Sequence, residues 1–189
     1  MFCGIPGCKI PHGHPSRQFA EAFALLFLML LPQIAGAQTG RLELLGREMI
    51  DQASALAVSG NMVYVGDSGQ MGITIVDISN PRSLVLKGFL SGGANDYYID
   101  DLCVAGNYLY VAEWLEGLFT VDVSKPASPV LKSFVPLEEG ISRLARSGSI
   151  LYAANEYYPF YYVFDLQNPA TPKLLKTVSA FGEISDMEV

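Results

Sequence analysis

Basic residues are few and nowhere grouped: 12 Lys and Arg stand against 19 Asp and Glu, a formal net charge of −7. Binding to phosphate backbones needs clustered Lys and Arg, so nucleic acid is excluded as an expected partner. Histidine is nearly missing, and the two present, His12 and His14, lie near the start beside Cys3 and Cys8. Beyond that stretch the only cysteine is Cys103. Over most of the chain a serine or cysteine nucleophile therefore lacks a histidine base, which leaves carboxylate or metal-assisted chemistry as the remaining catalytic options.

A membrane-length apolar run is missing too. Ala22 to Leu31 is unbroken but has ten residues, where a bilayer span needs about 20. Lys9 and Arg17 precede the run, Pro32 breaks it, and Ala35-Gly36-Ala37 offers a small-x-small cleavage site before Gln38. Residues 1–37 are therefore expected to be an export signal peptide, and the mature chain to have no membrane span. No Cys follows the run at the cleavage point, so no lipid attachment is expected there. Cys3, Cys8, His12 and His14 are zinc-type ligands. Their spacing is not that of a standard finger, and they are expected to leave with the leader. Cys103 then stands alone, cannot form an internal disulfide, and reads as a small core residue.

What is abundant is apolar and interrupted. Half of the residues are hydrophobic, and 18 Gly and 11 Pro divide them into short pieces, a pattern of many strands rather than long helices. The pieces repeat. ITIVDISNP at 73–81, LFTVDVSKP at 118–126 and YYVFDLQNP at 161–169 align, with Asp77, Asp122 and Asp165 in register and Pro81, Pro126 and Pro169 after them. Upstream, SGNMVYVG at 59–66, AGNYLYVA at 105–112 and SGSILYAA at 147–154 align on Gly60, Gly106 and Gly148. Each repeat divides into four short strands. A glycine turn joins the first two, where Gly accepts the positive φ of a tight hairpin. The third strand is apolar at nearly every position, as a strand covered on both faces must be.

Four strands in each 40–50 residues is the pattern of a propeller blade. The expected fold is an all-β propeller of four-stranded antiparallel blades at about 53–90, 99–134 and 142–178. Residues 184–189 match the start of a fourth blade, and 42–46 resemble a fourth strand able to close a ring. Three blades leave raw edges, so the reading frame is expected to be truncated. The repeats resemble the LVIVD-repeat family, in the stretches ITIVD, FTVD and YVFD, the Gly-Asn-x-x-Tyr-Val block and the Asp-x-Ser-x-Pro turn. The third repeat departs from both, with Ser149 for Asn and Gln167 for Ser. The resemblance covers about residues 42–189. It implies a secreted or surface-attached bacterial or archaeal protein, and it implies no defined activity.

Connectivity sorts the loops onto two faces. Loops near 67–72, 91–100, 113–117, 135–141, 155–160 and 179–183 share one. They hold Asp67, Asp96, Asp100, Glu113, Glu116, Glu138, Glu139, Glu156 and Glu183, no Lys or Arg, and aromatics including Tyr97, Tyr98, Trp114, Tyr157, Tyr158 and Phe160. Carboxylates among aromatics suit a cationic ligand, Ca²⁺ or a stacked sugar. The alternative is a solvated acidic face that keeps an exported protein soluble. Asp67, Glu113 and Asn155 share one repeat position and are candidates to ring a channel mouth, with Trp114 and Tyr157 beside them. Asp77, Asp122 and Asp165 read as turn residues whose carboxylates accept backbone N–H groups. Gly60, Gly106, Gly148 and the three prolines have the same structural role.

The expectation is therefore a non-catalytic propeller, secreted, periplasmic or on the cell surface, that presents an interaction face to a protein or glycan. No cofactor is expected, and Ca²⁺ is the one candidate. The rival is a calcium-dependent propeller hydrolase using Asp67 and Glu113. A truncated fragment with no function of its own is the third reading.

Overall fold

The computed structural model describes residues 44–48, 50, 52–67, 72–92, 98–180, 182, 184 and 187. The stretch expected to be an export signal, 1–37, and most of 184–189 lie outside the described residues. Twelve strands form three four-stranded antiparallel sheets. The first contains β1 Ala53–Ser59, β2 Met62–Asp67, β3 Gly72–Asp77 and β4 Val85–Ser91. The second contains β5 Ile99–Ala105, β6 Tyr108–Glu113, β7 Gly117–Asp122 and β8 Val130–Pro136. The third contains β9 Arg143–Ser147, β10 Ile150–Ala154, β11 Phe160–Asp165 and β12 Lys173–Ser179. Each sheet is a meander in which every strand pairs with the next in sequence.

The first hairpin of each sheet turns on Gly60, Gly106 or Gly148, with φ of 56°, 58° and 57°. A side chain at this backbone angle is strained, which is why the repeat keeps glycine there. The third strands β3 and β7 are buried at five successive positions before their aspartate. β7 lies between two other sheets, and the first sheet, which holds β3, is covered on its far side by the segment at Ile50. Ile73, Ile75 and Tyr64 of the first sheet meet Leu109, Val111 and Phe119 of the second. On the other face of the second sheet, Tyr110, Ala112 and Leu118 meet Leu144, Leu151 and Phe164. Burying one such Leu or Ile fully contributes about 1.5–3 kcal/mol, so these two junctions hold the sheets together. The inner strands β1, β5 and β9 meet in succession, as strands around a common axis do.

The Asp-x-x-x-Pro turns of the second and third sheets pack on the sheet before them. Tyr110 donates its hydroxyl to the Pro169 carbonyl at 3.0 Å, and Ser133 Oγ donates to the Ala170 carbonyl at 2.9 Å. One junction earlier the approach is so close that a Cβ on Gly88 would overlap the Pro126 carbonyl oxygen. Gly46 stands against the Pro81 carbonyl in the same way. Residues 44–46 of the expected closing strand carry no strand pairing. They nonetheless occupy the place on the first sheet that an outer strand takes on the others, and Ile50 behind them is buried against Val63, Val65 and Val76.

Candidate interaction face

The second strand of each sheet runs toward one face of the stack and ends in a polar residue. Asp67, Glu113 and Asn155 occupy these ends, with exposures of 0%, 1% and 1%. They are turned inward and sealed from solvent. The N–H groups of Leu115 and Glu116 donate to Glu113 Oε2 at 2.8 and 2.5 Å, and the Tyr98 N–H donates to Oε1 at 3.3 Å. Asn155 Oδ1 accepts the Tyr157 N–H at 3.0 Å, while its Nδ2 donates to the Glu139 carbonyl at 2.6 Å. A turn that leaves the sheet has backbone donors without partners, and a buried acceptor at the strand end satisfies them. Burial raises the Glu113 pKa, and the three N–H donors partly offset this.

The loops held this way display the aromatics. Trp114 lies against Tyr157, ring centroids 4.9 Å apart and tilted by 42°. Tyr157 of this pair is 58% exposed, and Tyr98, Leu115 and Tyr158 on the same loops are exposed by 57%, 66% and 37%. Glu139 accepts the Tyr158 hydroxyl, and this hydrogen bond is the main reason the Tyr158 pKa is raised.

A second group sits beneath them, between the second and third sheets. β5 bulges at Asp100, between Ile99 and Asp101. The matching positions are Ser54 and Ser142, whose hydroxyls have partners: Ser54 Oγ donates to the Gly66 carbonyl at 3.2 Å, and Ser142 Oγ accepts the Glu156 N–H at 3.1 Å. Asp100 Oδ2 is buried without a hydrogen-bond partner. Burial, then the nearby carboxylates of Glu113 and Glu156, push its pKa up to about 7 against the pull of Arg143. Arg143 donates to Glu156 Oε2 at 2.8 Å and to the Ser142 carbonyl at 2.7 Å. Asp101 Oδ1 accepts its neighbour's Leu102 N–H at 2.8 Å. The face expected to be purely acidic thus receives a cation from β9, just outside the loops. Arg143, Asp101 and Ser142 were not among the expected site residues. Aligning the position at the start of the first strand, where one Asp stands among serines, is the signal that finds Asp100.

The turn aspartates lie on the opposite face. The N–H groups of Ser79, Ser124 and Gln167 donate to Oδ1 of Asp77, Asp122 and Asp165 at 2.8, 3.0 and 2.8 Å. Lys87 and Lys132, each on the bulge of an outer strand, reach Asp77 and Asp122 at 3.1 and 3.4 Å. Hydrogen bonds from Ser79 and then Lys87 lower the Asp77 pKa to about 2, and those from Ser124 and then Lys132 lower that of Asp122. Leu175 takes the lysine's place in the third sheet.

Among the described residues, no three His, Cys, Asp or Glu side chains converge as a metal ion would require. No helix among them is long and apolar enough to cross a membrane.

The LVIVD-repeat family model matches residues 51–90 and 98–135, the first two sheets. The third sheet lies outside both matches, although it has the same four-strand order. No curated protein sequence matches the chain. Among solved structures, the computationally designed Ika8 protein aligns with a TM-score of 0.57 at 18% identity, over 77% of this chain and 42% of that one. The periplasmic gluconolactonase PpgL of Pseudomonas aeruginosa aligns at 0.57 and 16%, over 70% and 44%. The β-propeller domain of Myceliophteria thermophila Cps50 (Swd1) aligns at 0.57 and 14%, over 72% and 44%. The chain spans less than half the length of each of these. At such identities the likeness speaks for the fold alone. The sheets, the repeat and the neighbours agree on a β-propeller fold, and the first two sheets of the chain carry LVIVD repeats.

Proposed function

We propose that this chain is a non-catalytic binding propeller that presents its aromatic, acidic loop face to a protein or glycan outside the cytoplasm. The observation that carries the reading is the exposed group of Tyr98, Leu115, Tyr157 and Tyr158 on the loop face with Trp114, held on turns fixed by Glu113 and Asn155. Exposed apolar groups gathered in one place and rimmed by charge mark binding surfaces. Loops already held by buried acceptors lose little entropy when a ligand arrives. Export rests on the basic, apolar and small-residue order of residues 1–37. An exported chain starting at Gln38 by mass spectrometry supports it, and retention of residues 1–37 refutes it.

Trp114 is the one tryptophan of the chain and reports on this face directly. Titrating the exported protein with oligosaccharides and with basic peptides is expected to change Trp114 emission saturably, and Tyr157→Ala to weaken the response. Emission that no member of the panel moves would count against the binding reading. Turnover of lactones or esters that depends on Glu113 would replace it with an enzymatic one.

A further inference from the structure

The two junctions between sheets are built alike except at one place on their rim. In the second sheet Gly117 pairs with Pro136, and the next residue, Leu137, folds its side chain into the junction with the third sheet. There Leu137 is 7% exposed, in one cluster with Leu118, Ile141, Ala153 and Tyr162. In the first sheet Gly72 pairs with Ser91, and the next residue is Gly92. Among the described residues the leucine has no counterpart.

Its place is a cavity. Ile73, Leu90, Ile99, Val111, Phe119 and Leu131 line a space of about 70 Å³ beside Gly92, with Ser91 as the one polar side chain among the described lining residues. The space is open on one side and larger than the roughly 10–15 Å³ that one water needs, and its mostly apolar walls offer water few hydrogen bonds. Gly72, Ser91 and Gly92 stand at the ends of β3 and β4 on the loop face that carries the aromatics.

We propose that this cavity is a socket for one branched aliphatic side chain, leucine above all, contributed by a protein partner that docks on the loop face. The inference rests on the binding reading and narrows it, because a glycan has no such group to insert. The next junction supplies the template: the same surroundings close around Leu137 when the chain provides its own leucine. An aliphatic side chain seated in a pocket can serve as the buried anchor of an interface, and the exposed aromatics to one side are of the kind that contribute most to affinity.

The probe is N-acetyl-leucinamide, added to the exported chain carrying labelled Ile, Leu and Val methyls. The Ile73, Ile99 and Leu131 methyl signals are expected to shift saturably. N-acetyl-alaninamide should bind at least about tenfold more weakly, since each missing methylene in an apolar pocket costs discrimination. Gly92→Leu, which restores the internal plug, should abolish the shifts. Leu131→Trp, which narrows the socket from an exposed strand without touching Gly92, should do the same. Absence of saturable shifts overturns the proposal, as do shifts that survive both variants. The two readings fail separately. A ligand found through Trp114 that binds Gly92→Leu equally well removes the socket and keeps the face. Saturable leucinamide binding with an unresponsive Trp114 removes the face and keeps the socket.

Discussion

Asp101 on β5 accepts the backbone N–H of Leu144 on β9 at 2.7 Å, so a side chain of the second sheet holds the inner strand of the third. Leu144 is itself buried in the junction, and its N–H has little access to water.

Replacing this clamp should be costly out of proportion to its size. Asp101→Ala leaves a buried donor unpaired and is expected to destabilise the chain by about 1–3 kcal/mol. Asp101→Asn keeps one acceptor for the Leu144 N–H but turns its amide NH2 toward the Leu102 N–H, and should lose less than Asp101→Ala. Urea unfolding of the two variants beside the parent measures the difference, and equal losses would assign the effect to packing instead.

Asp100 gives stability a pH dependence of unusual sign. Its folded pKa, about 7, lies well above the usual aspartate range, so the folded chain holds this proton more tightly than the unfolded one. Ionising it in place disfavours the fold. Stability should therefore fall as pH rises from about 4 to about 7. A displacement of this size in a fully buried group corresponds to roughly 4 kcal/mol, and partial exposure of the carboxylate reduces the expected effect to about 1–2 kcal/mol. Asp100→Ser, the residue of the sister repeats, should flatten this limb and raise stability at pH 7 to 8. Asp77 acts in the opposite sense: its pKa is lowered to about 2, so its contribution is present above pH 4 and lost as pH falls toward 2. Melting temperature across pH 3 to 8 separates the two.

Glu113 is expected to matter for loop order more than for ligand contact. Glu113→Ala strands the N–H groups of Tyr98, Leu115 and Glu116. A loss of about 1–3 kcal/mol and red-shifted Trp114 emission should follow, even without ligand. Unchanged emission would mean that the turn holds without its buried carboxylate.

The turn that packs between sheets tolerates little. Gly88→Ala pushes a methyl group into the Pro126 carbonyl and should destabilise by about 1–3 kcal/mol. Tyr110→Phe removes only a hydroxyl from the equivalent contact with Pro169, and about 0.5–1.5 kcal/mol is expected. Thermal melts of both variants, ranked in that order, check the prediction.

Much of the fold could be read from the chain because its signals are local and repeated. Gly60, Gly106 and Gly148 need a backbone angle that few residues accept, and Asp77, Asp122 and Asp165 find their donors two residues on. The face was legible as composition: acids and aromatics fall in loops that connectivity places together. The direction of each acid was not legible. Glu113 at a strand end can point to solvent or fold back on its own turn, and the N–H groups left by the turn decide between the two. Arg143 and Asp101 lie within strands, and their partnerships depend on how closely neighbouring sheets approach. The socket leaves no mark in the repeat pattern, because it is made by a missing side chain at Gly92 and becomes visible only against Leu137 in the sister junction.

The seating of Gly46 on Pro81 has a mechanical consequence. Residues 44–48 contribute no rungs to a hydrogen-bonded ladder, so tension applied there is carried by packing, the Gly46 contact and the Ile50 side chain among it. Such a segment peels at low force and can reseat, whereas tension on β2 or β3 must shear strands bonded on both sides. The first sheet therefore has a compliant strap joined to a stiff ladder, and strain arriving through that strap would be absorbed before it reached the loop face.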